Sequence, residues 1–140
     1  MKILDLGCGL RKVPGAIGAD RLPGSDADIL MDLDAVPYPF KENQFDRVEC
    51  LNTLEHAKEI VPVIREIHRI LVPGGLLHIV VPHFSSLHAF SDLTHRHFFS
   101  SQSLDHFCGL FEEYRHYALP LFEKKACRLH FWKLGRPVLP

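Results

Sequence analysis

The sequence predicts an α/β fold built on a mostly parallel sheet, and three observations carry that prediction. An apolar strand, Leu4-Asp5-Leu6, runs straight into Gly7-Cys8-Gly9, a turn whose two missing β-carbons let a ligand approach the main-chain N–H groups. Between Ile60 and Leu71 the apolar residues fall at helical spacing, with Lys58, Glu59, Arg65, Glu66 and Arg69 on the other face. Leu76 to Val81 is then almost continuously apolar, the pattern of a strand covered on both faces. Alternating strands and helices place a ligand site at the carboxyl ends of the strands.

A Gly-x-Gly turn after a first strand has two readings. The dinucleotide fold needs a third glycine, where Lys12 stands, and an acid about 20 residues on; Asp20 comes only eleven residues after Gly9. The fuller string Leu-Asp-Leu-Gly-Cys-Gly instead resembles motif I of the class I S-adenosylmethionine-dependent methyltransferases, small-molecule type. Further segments match that family in order. Ile17-Gly18-Ala19-Asp20 resembles its second strand, Ile29 to Leu33 its third, Pro39-Phe40 and then Phe45-Asp46-Arg47-Val48 its approach to the fourth, and Leu54-Glu55-His56 the Glu-His that follows. Arg65 to Leu77 resembles its helix, turn and fifth strand, and Pro73-Gly74-Gly75 is expected to stop the helix by removing a donor and permitting a left-handed cap.

The resemblance implies a Rossmann-like methyltransferase fold and S-adenosylmethionine as cofactor. It places Gly7, Cys8 and Gly9 against the methionine part, Asp20 on the ribose hydroxyls, and Asp32 and Leu33 on the adenine side. Cys50 and Leu51 contribute backbone at the end of strand four, with Asn52 beside them. Asp5 either braces the glycine turn or meets the ammonium end of the ligand. Asp20 and Asp32 also have a plain reading as surface acids, and Glu55 with Asn52 or Thr53 reads equally well as a helix-capping arrangement.

The chain departs from the family just after motif I. Only nine residues separate Leu6 from Ala16, and Pro14-Gly15 lies among them, whereas a helical crossover takes about 10 to 12. The first crossover helix is therefore expected to be reduced or absent, with Arg11 or Lys12 supplying the positive charge toward the cofactor carboxylate. Solvated loop charges are the plain alternative.

Residues 83 to 99 follow strand five and are expected to form a lid or acceptor wall. Methyl transfer from a sulfonium chiefly needs nucleophile, methyl and leaving sulfur held in line, and a histidine or carboxylate helps when the acceptor carries a proton. His95 and Asp92, then His83, are the catalytic candidates. His83, His88, His95 and His97 with Asp92 also invite a metal reading, but their spacing matches no closed-site pattern, so no metal is expected. Ser100 to Gly109 reads as a short capped helix with a glycine exit, and Glu112–Leu119 with Lys125–Leu134 as a closing antiparallel strand pair, Phe131-Trp132 packing on the sheet.

Length and composition bound the partners. The 140 residues, 46% hydrophobic, suffice for one domain spanning 1–140 with one core. A formal net charge of −1 gives no electrostatic footprint for nucleic acid. Four dispersed cysteines without a Cys-x-x-Cys pair fit a reduced cytoplasmic compartment, and no apolar run reaches the ~20 residues of a membrane span. The expected function is methyl transfer to a small-molecule acceptor. A cofactor-binding or degenerate domain with a regulatory or assembly role is the alternative, and a homo-oligomer completing the thin wall of the site is possible on geometry.

Overall fold

A computed structural model describes residues 1–111, 113 and 122–131. The chain divides into two compact units, Met1–Ser100 and Ser101–Pro140. The first holds a five-stranded sheet of β1 (Ile3–Leu6), β2 (Ile17–Asp20), β3 (Ile29–Leu30), β4 (Phe45–Leu51) and β5 (Leu71–Val80). All neighbours are parallel, in the order β3-β2-β1-β4-β5. The order reverses between β1 and β4, and in an open α/β sheet the carboxyl end of that switch point is where ligands sit.

The first link carries no helix, as expected: the chain turns from Leu6 to Ile17 through short hydrogen-bonded turns. The link from β2 to β3 is equally short. In the register, Asp5 pairs with Gly18 and with Glu49, and Glu49 with His78. Partners in a parallel sheet point to one face. That face therefore carries a polar row in which Glu49 accepts from Arg47 Nε and meets His78 Nδ1 at 2.6 Å. Leu4, Leu6, Val48 and Cys50 form the alternate set, and all four are buried.

Helix α1 (Ile60–Ile70) buries Val63, Ile64, Ile67 and Ile70, each contributing about 1.5–3 kcal/mol of apolar transfer. Pro62 is tolerated because it lies in the first turn, where its missing N–H has no intrahelical acceptor. Glu66, also buried on α1, accepts from Tyr38 N–H at 2.7 Å and pairs with Arg69, whose guanidinium also donates to the Phe40 carbonyl at 2.9 Å. The loop before β4 is thereby tied to the helix.

Three expectations change. Pro73-Gly74-Gly75 does not cap α1: Leu71 already has extended backbone and pairs with Phe45, and the next pair is Arg47 with Leu76, so residues 72–75 form an irregularity inside the ladder. Nor is β5 covered on both faces. It is an edge strand among the described residues, with Leu76 and Val80 exposed. The third strand stops at Leu30 instead of Leu33, because Asp32 accepts from Asp34 N–H at 2.9 Å and turns the chain.

In residues 83–99, α2 (Leu87–Ser91) is capped by Ser86, whose hydroxyl accepts from His88 N–H at 3.2 Å. The segment closes on itself through a parallel bridge between His83 and Phe99. The second unit contains a 3-10 helix, Asp105–Cys108, ending on Gly109 with φ 66°, the glycine exit expected. Of the expected closing strand pair, residues 112 and 114–119 and 132–134 lie outside the described residues, and 125–131 carry no strand. Trp132 is likewise outside them.

Candidate functional site

The glycine turn at the end of β1 is saturated from within. Gly7 and Cys8 N–H both donate to the Ala19 carbonyl, at 2.8 and 3.3 Å, and Gly9 N–H donates to Asp20 Oδ2 at 2.9 Å. The expectation that these N–H groups face a ligand is thus not met, since β2 lies close enough to take them. Gly7 and Gly9 adopt φ of 77° and 54°, and the space beside Gly9 is open. Asp20 also accepts from Leu22 N–H through Oδ1 at 2.8 Å. Each of its oxygens keeps lone-pair capacity toward hydroxyl donors.

Asp5 takes the bracing role of its two readings. Its Oδ2 accepts from Val13 N–H at 2.7 Å, and burial pushes its carboxyl above the ordinary range despite that hydrogen bond. Lys12 does not reach out as a free cation: its Nζ is 2.8 Å from Asp28 Oδ2, which also accepts from Gly18 N–H at 2.7 Å. Arg11 is exposed beside the turn. Asp32 is exposed in its own turn, and the Leu33 carbonyl accepts from Tyr38 OH at 2.8 Å.

At the end of β4, Cys50 belongs to the buried apolar row, and burial pushes its thiol up to about 12. Leu51 closes the strand, and Asn52, at φ 51°, donates its N–H to the Val80 carbonyl at 2.7 Å. Thr53 precedes the 3-10 turn Leu54–His56 but makes no side-chain cap; its hydroxyl points to the carbonyls of Leu51 and Gly7, at 3.1 and 3.4 Å. The capping reading of Glu55 therefore fails. Glu55 is instead buried, and burial raises its carboxyl above the ordinary range.

The lid segment is stapled onto that turn. Arg96 and His97 N–H donate to the Glu55 carbonyl at 2.7 and 3.2 Å, and His97 Nε2 reaches the Ala57 carbonyl at 2.9 Å. His95 is thereby set with Nε2 3.8 Å from Asp92 Oδ2 and 4.0 Å from Glu55 Oε1, and its ring lies 4.8 Å from that of His56. Two of the three catalytic candidates, His95 and Asp92, thus come together. His83 is held apart with Ser85, Nδ1 to Oγ 2.8 Å. Thr53 and Thr94 were not singled out as functional from the sequence, and His97 only as one of the histidines of the metal reading. Thr94 and His97 carried no signal beyond their place in the histidine-rich segment.

The methyltransferase domain family matches residues 14–79. Methyltransferase GfsG of Streptomyces halstedii is 32% identical over 99 residues, covering 54% of this chain and 36% of that protein. Sterol 24-C-methyltransferase ERG6B of Gibberella zeae is 31% identical over 99 residues, covering 54% of this chain and 26% of that protein. A candidate methyltransferase of Bacillus halodurans C-125 shares the fold with a TM-score of 0.59 at 19% identity, over 84% of this chain and 61% of that one. These likenesses support a class I S-adenosylmethionine-dependent methyltransferase domain, with the family match lying over residues 14–79. The chain spans between about a quarter and about a third of the length of the curated relatives it matches.

S-adenosylmethionine is the cofactor the family implies. At its ribose end the residues fit, since Asp20 offers two acceptor oxygens beside the open flank of Gly9. No helix of the described residues is long and apolar enough to cross a membrane.

Proposed function

We propose that the chain transfers a methyl group to a small-molecule acceptor, with the cofactor side formed by Asp20 and the Gly7–Gly9 turn and the acceptor side by residues 83–99. The observation that carries this reading is the joint placement of Asp20 beside the glycine turn at the sheet's switch point and of His95 with Asp92 on the segment after β5. S-adenosylmethionine, when bound, supplies a methyl group made electrophilic by its sulfonium. Asp20 holds the ribose hydroxyls, and Gly9 leaves room for the sugar and chain. Asp5 keeps the turn in place through Val13. Arg11 is the cation beside the turn that meets a carboxylate, since Lys12 is already paired.

On the acceptor side, His95 donates through Nδ1–H to the Ala89 carbonyl at 2.9 Å, which leaves Nε2 unprotonated in the neutral ring. That nitrogen accepts a proton from, or orients, a hydroxyl or amine acceptor, with Asp92 beside it. His83 lies at the start of the same wall. Exposed Phe84, Leu87, Phe90 and Leu93 give the wall an apolar rim suited to an apolar acceptor. One curated relative is by its name a sterol methyltransferase, which agrees with a small-molecule acceptor.

The saturated N–H groups of the turn and the missing crossover helix favour a second reading, a cofactor-binding or degenerate domain with a regulatory or assembly role. Calorimetry with S-adenosylmethionine and S-adenosylhomocysteine, followed by turnover on an acceptor panel, separates the two. Binding with turnover supports the enzyme and binding alone the second reading. Asp20→Asn lowers affinity by roughly tenfold, as expected for weakening a charge-assisted hydrogen-bond pair. Unchanged affinity overturns the assignment of Asp20.

A further inference from the structure

Glu55 stands out for a reason methyl transfer does not use. It is 1% exposed, and among the described residues its Oε2 is the buried side-chain oxygen or nitrogen that has no hydrogen-bond partner. A carboxylate oxygen of Glu55 and one ring nitrogen each of His56 and His95 lie within 4.8 Å of one another. We propose that these three residues form a site for a divalent transition-metal ion, with Asp92 at its edge.

The hydrogen bonds around the two rings prepare them as ligands. His95 gives its Nδ1–H to the Ala89 carbonyl, so the lone pair sits on Nε2, the nitrogen that faces Glu55 and Asp92. His56 Nδ1 lies 3.0 Å from Thr94 Oγ1, whose own hydroxyl donates to Asp92 Oδ1 at 2.7 Å. Thr94 therefore accepts from His56 Nδ1–H, and the second lone pair is on His56 Nε2. A carbonyl or polar side chain fixing the distal nitrogen is the usual outer support of a metal-bound imidazole.

The donor set also selects the ion. Two imidazoles and one carboxylate, with open positions, suit zinc, iron(II) or manganese(II), and not calcium or magnesium, which take oxygen ligands. Ligands about 2.1 Å from a tetrahedral ion are about 3.4 Å apart, so the three donors need only a modest rotation inward. A cation would meet the buried Glu55 charge and the Asp92 carboxylate. It would sit beside the acceptor wall, and His95 Nε2, which serves the acceptor when no ion is bound, becomes a ligand when one is. Cation binding does not depend on the methyl-transfer reading.

The test is titration of the full, chelator-treated chain with Co²⁺ alone and with Zn²⁺ alone, read by visible absorption and calorimetry. The expected result is one Co²⁺ per chain with a visible ligand-field band, displaced by Zn²⁺. Glu55→Gln and His95→Ala each weaken binding by roughly tenfold or more, and His83→Ala leaves it unchanged. Circular dichroism checks each fold; should the Glu55 and His95 variants misfold, His56→Asn and the exposed Thr94→Val carry the same expectation. An adventitious cation only, meaning substoichiometric uptake or uptake equal in wild type and variants, overturns the site. S-adenosylhomocysteine binding on the same preparation reports the methyltransferase reading separately.

Discussion

Thr53 occupies the space that a side chain on Gly7 would need: its Cγ2 and Oγ1 both lie 2.3 Å from where a β-carbon would stand. The end of β4 is thus packed onto the turn after β1, across the point where the strand order reverses. Glycine at position 7 serves this close approach as much as its φ of 77°.

Gly7→Ala is accordingly expected to cost about 2–4 kcal/mol, combining a left-handed residue with overpacking. Gly9→Ala, with φ 54° but nothing within 4 Å, pays only the backbone part, about 1–2 kcal/mol. Urea denaturation of both variants checks the ranking. Equal losses would mean that Thr53 moves aside at little cost.

Asp5→Ala removes the acceptor of the Val13 N–H and is expected to destabilise by about 1–3 kcal/mol. Because Val13 belongs to the loop that replaces the crossover helix, faster amide exchange is expected at residues 8–16 and not in α1. Uniform loss of protection would show that Asp5 supports the whole sheet instead.

Glu66 sets a pH dependence. Its hydrogen bond with the Arg69 guanidinium lowers its carboxyl below the ordinary 4.5, and burial only partly offsets this. The unfolded chain therefore binds the proton more readily, so stability rises with pH across this window. The contribution is complete above the ordinary value and is lost as pH falls through the lower folded one. Glu66→Gln is expected to flatten the slope of unfolding free energy below about pH 5, measured by denaturation at stepped pH. An unchanged slope would assign the acid sensitivity to other carboxylates.

Thiol labelling should follow burial. Cys50 and Cys8 are buried, and burial raises both thiols, whereas Cys127 is exposed. Cys127 is expected to react first with iodoacetamide at pH 8, and Cys50 only on unfolding. Peptide mapping of a time course decides the order.

The strand cores and α1 were legible because their signals are local. Apolar spacing alone outlines Ile60–Ile70, and the strand-acid pattern outlines Ile17–Asp20. The Pro-Gly-Gly turn misled because a helix stop and a ladder irregularity use the same residue types, and only the pairing of Leu71 with Phe45 tells them apart. Leu76–Val80 misled because an apolar run does not say whether a further layer covers it.

The site divides the same way. Motif I, Asp20 and the histidine-rich segment were visible in the chain, since short motifs record the backbone freedom and donor types that a cofactor turn requires. Tertiary structure alone decided that Asp5 braces Val13, that Lys12 is spent on Asp28, and that Glu55 and His56 meet His95 about 40 residues later in sequence. The physical reason is that periodicity and propensity act over a few neighbouring residues, whereas which polar groups share a buried space depends on how distant segments close upon one another.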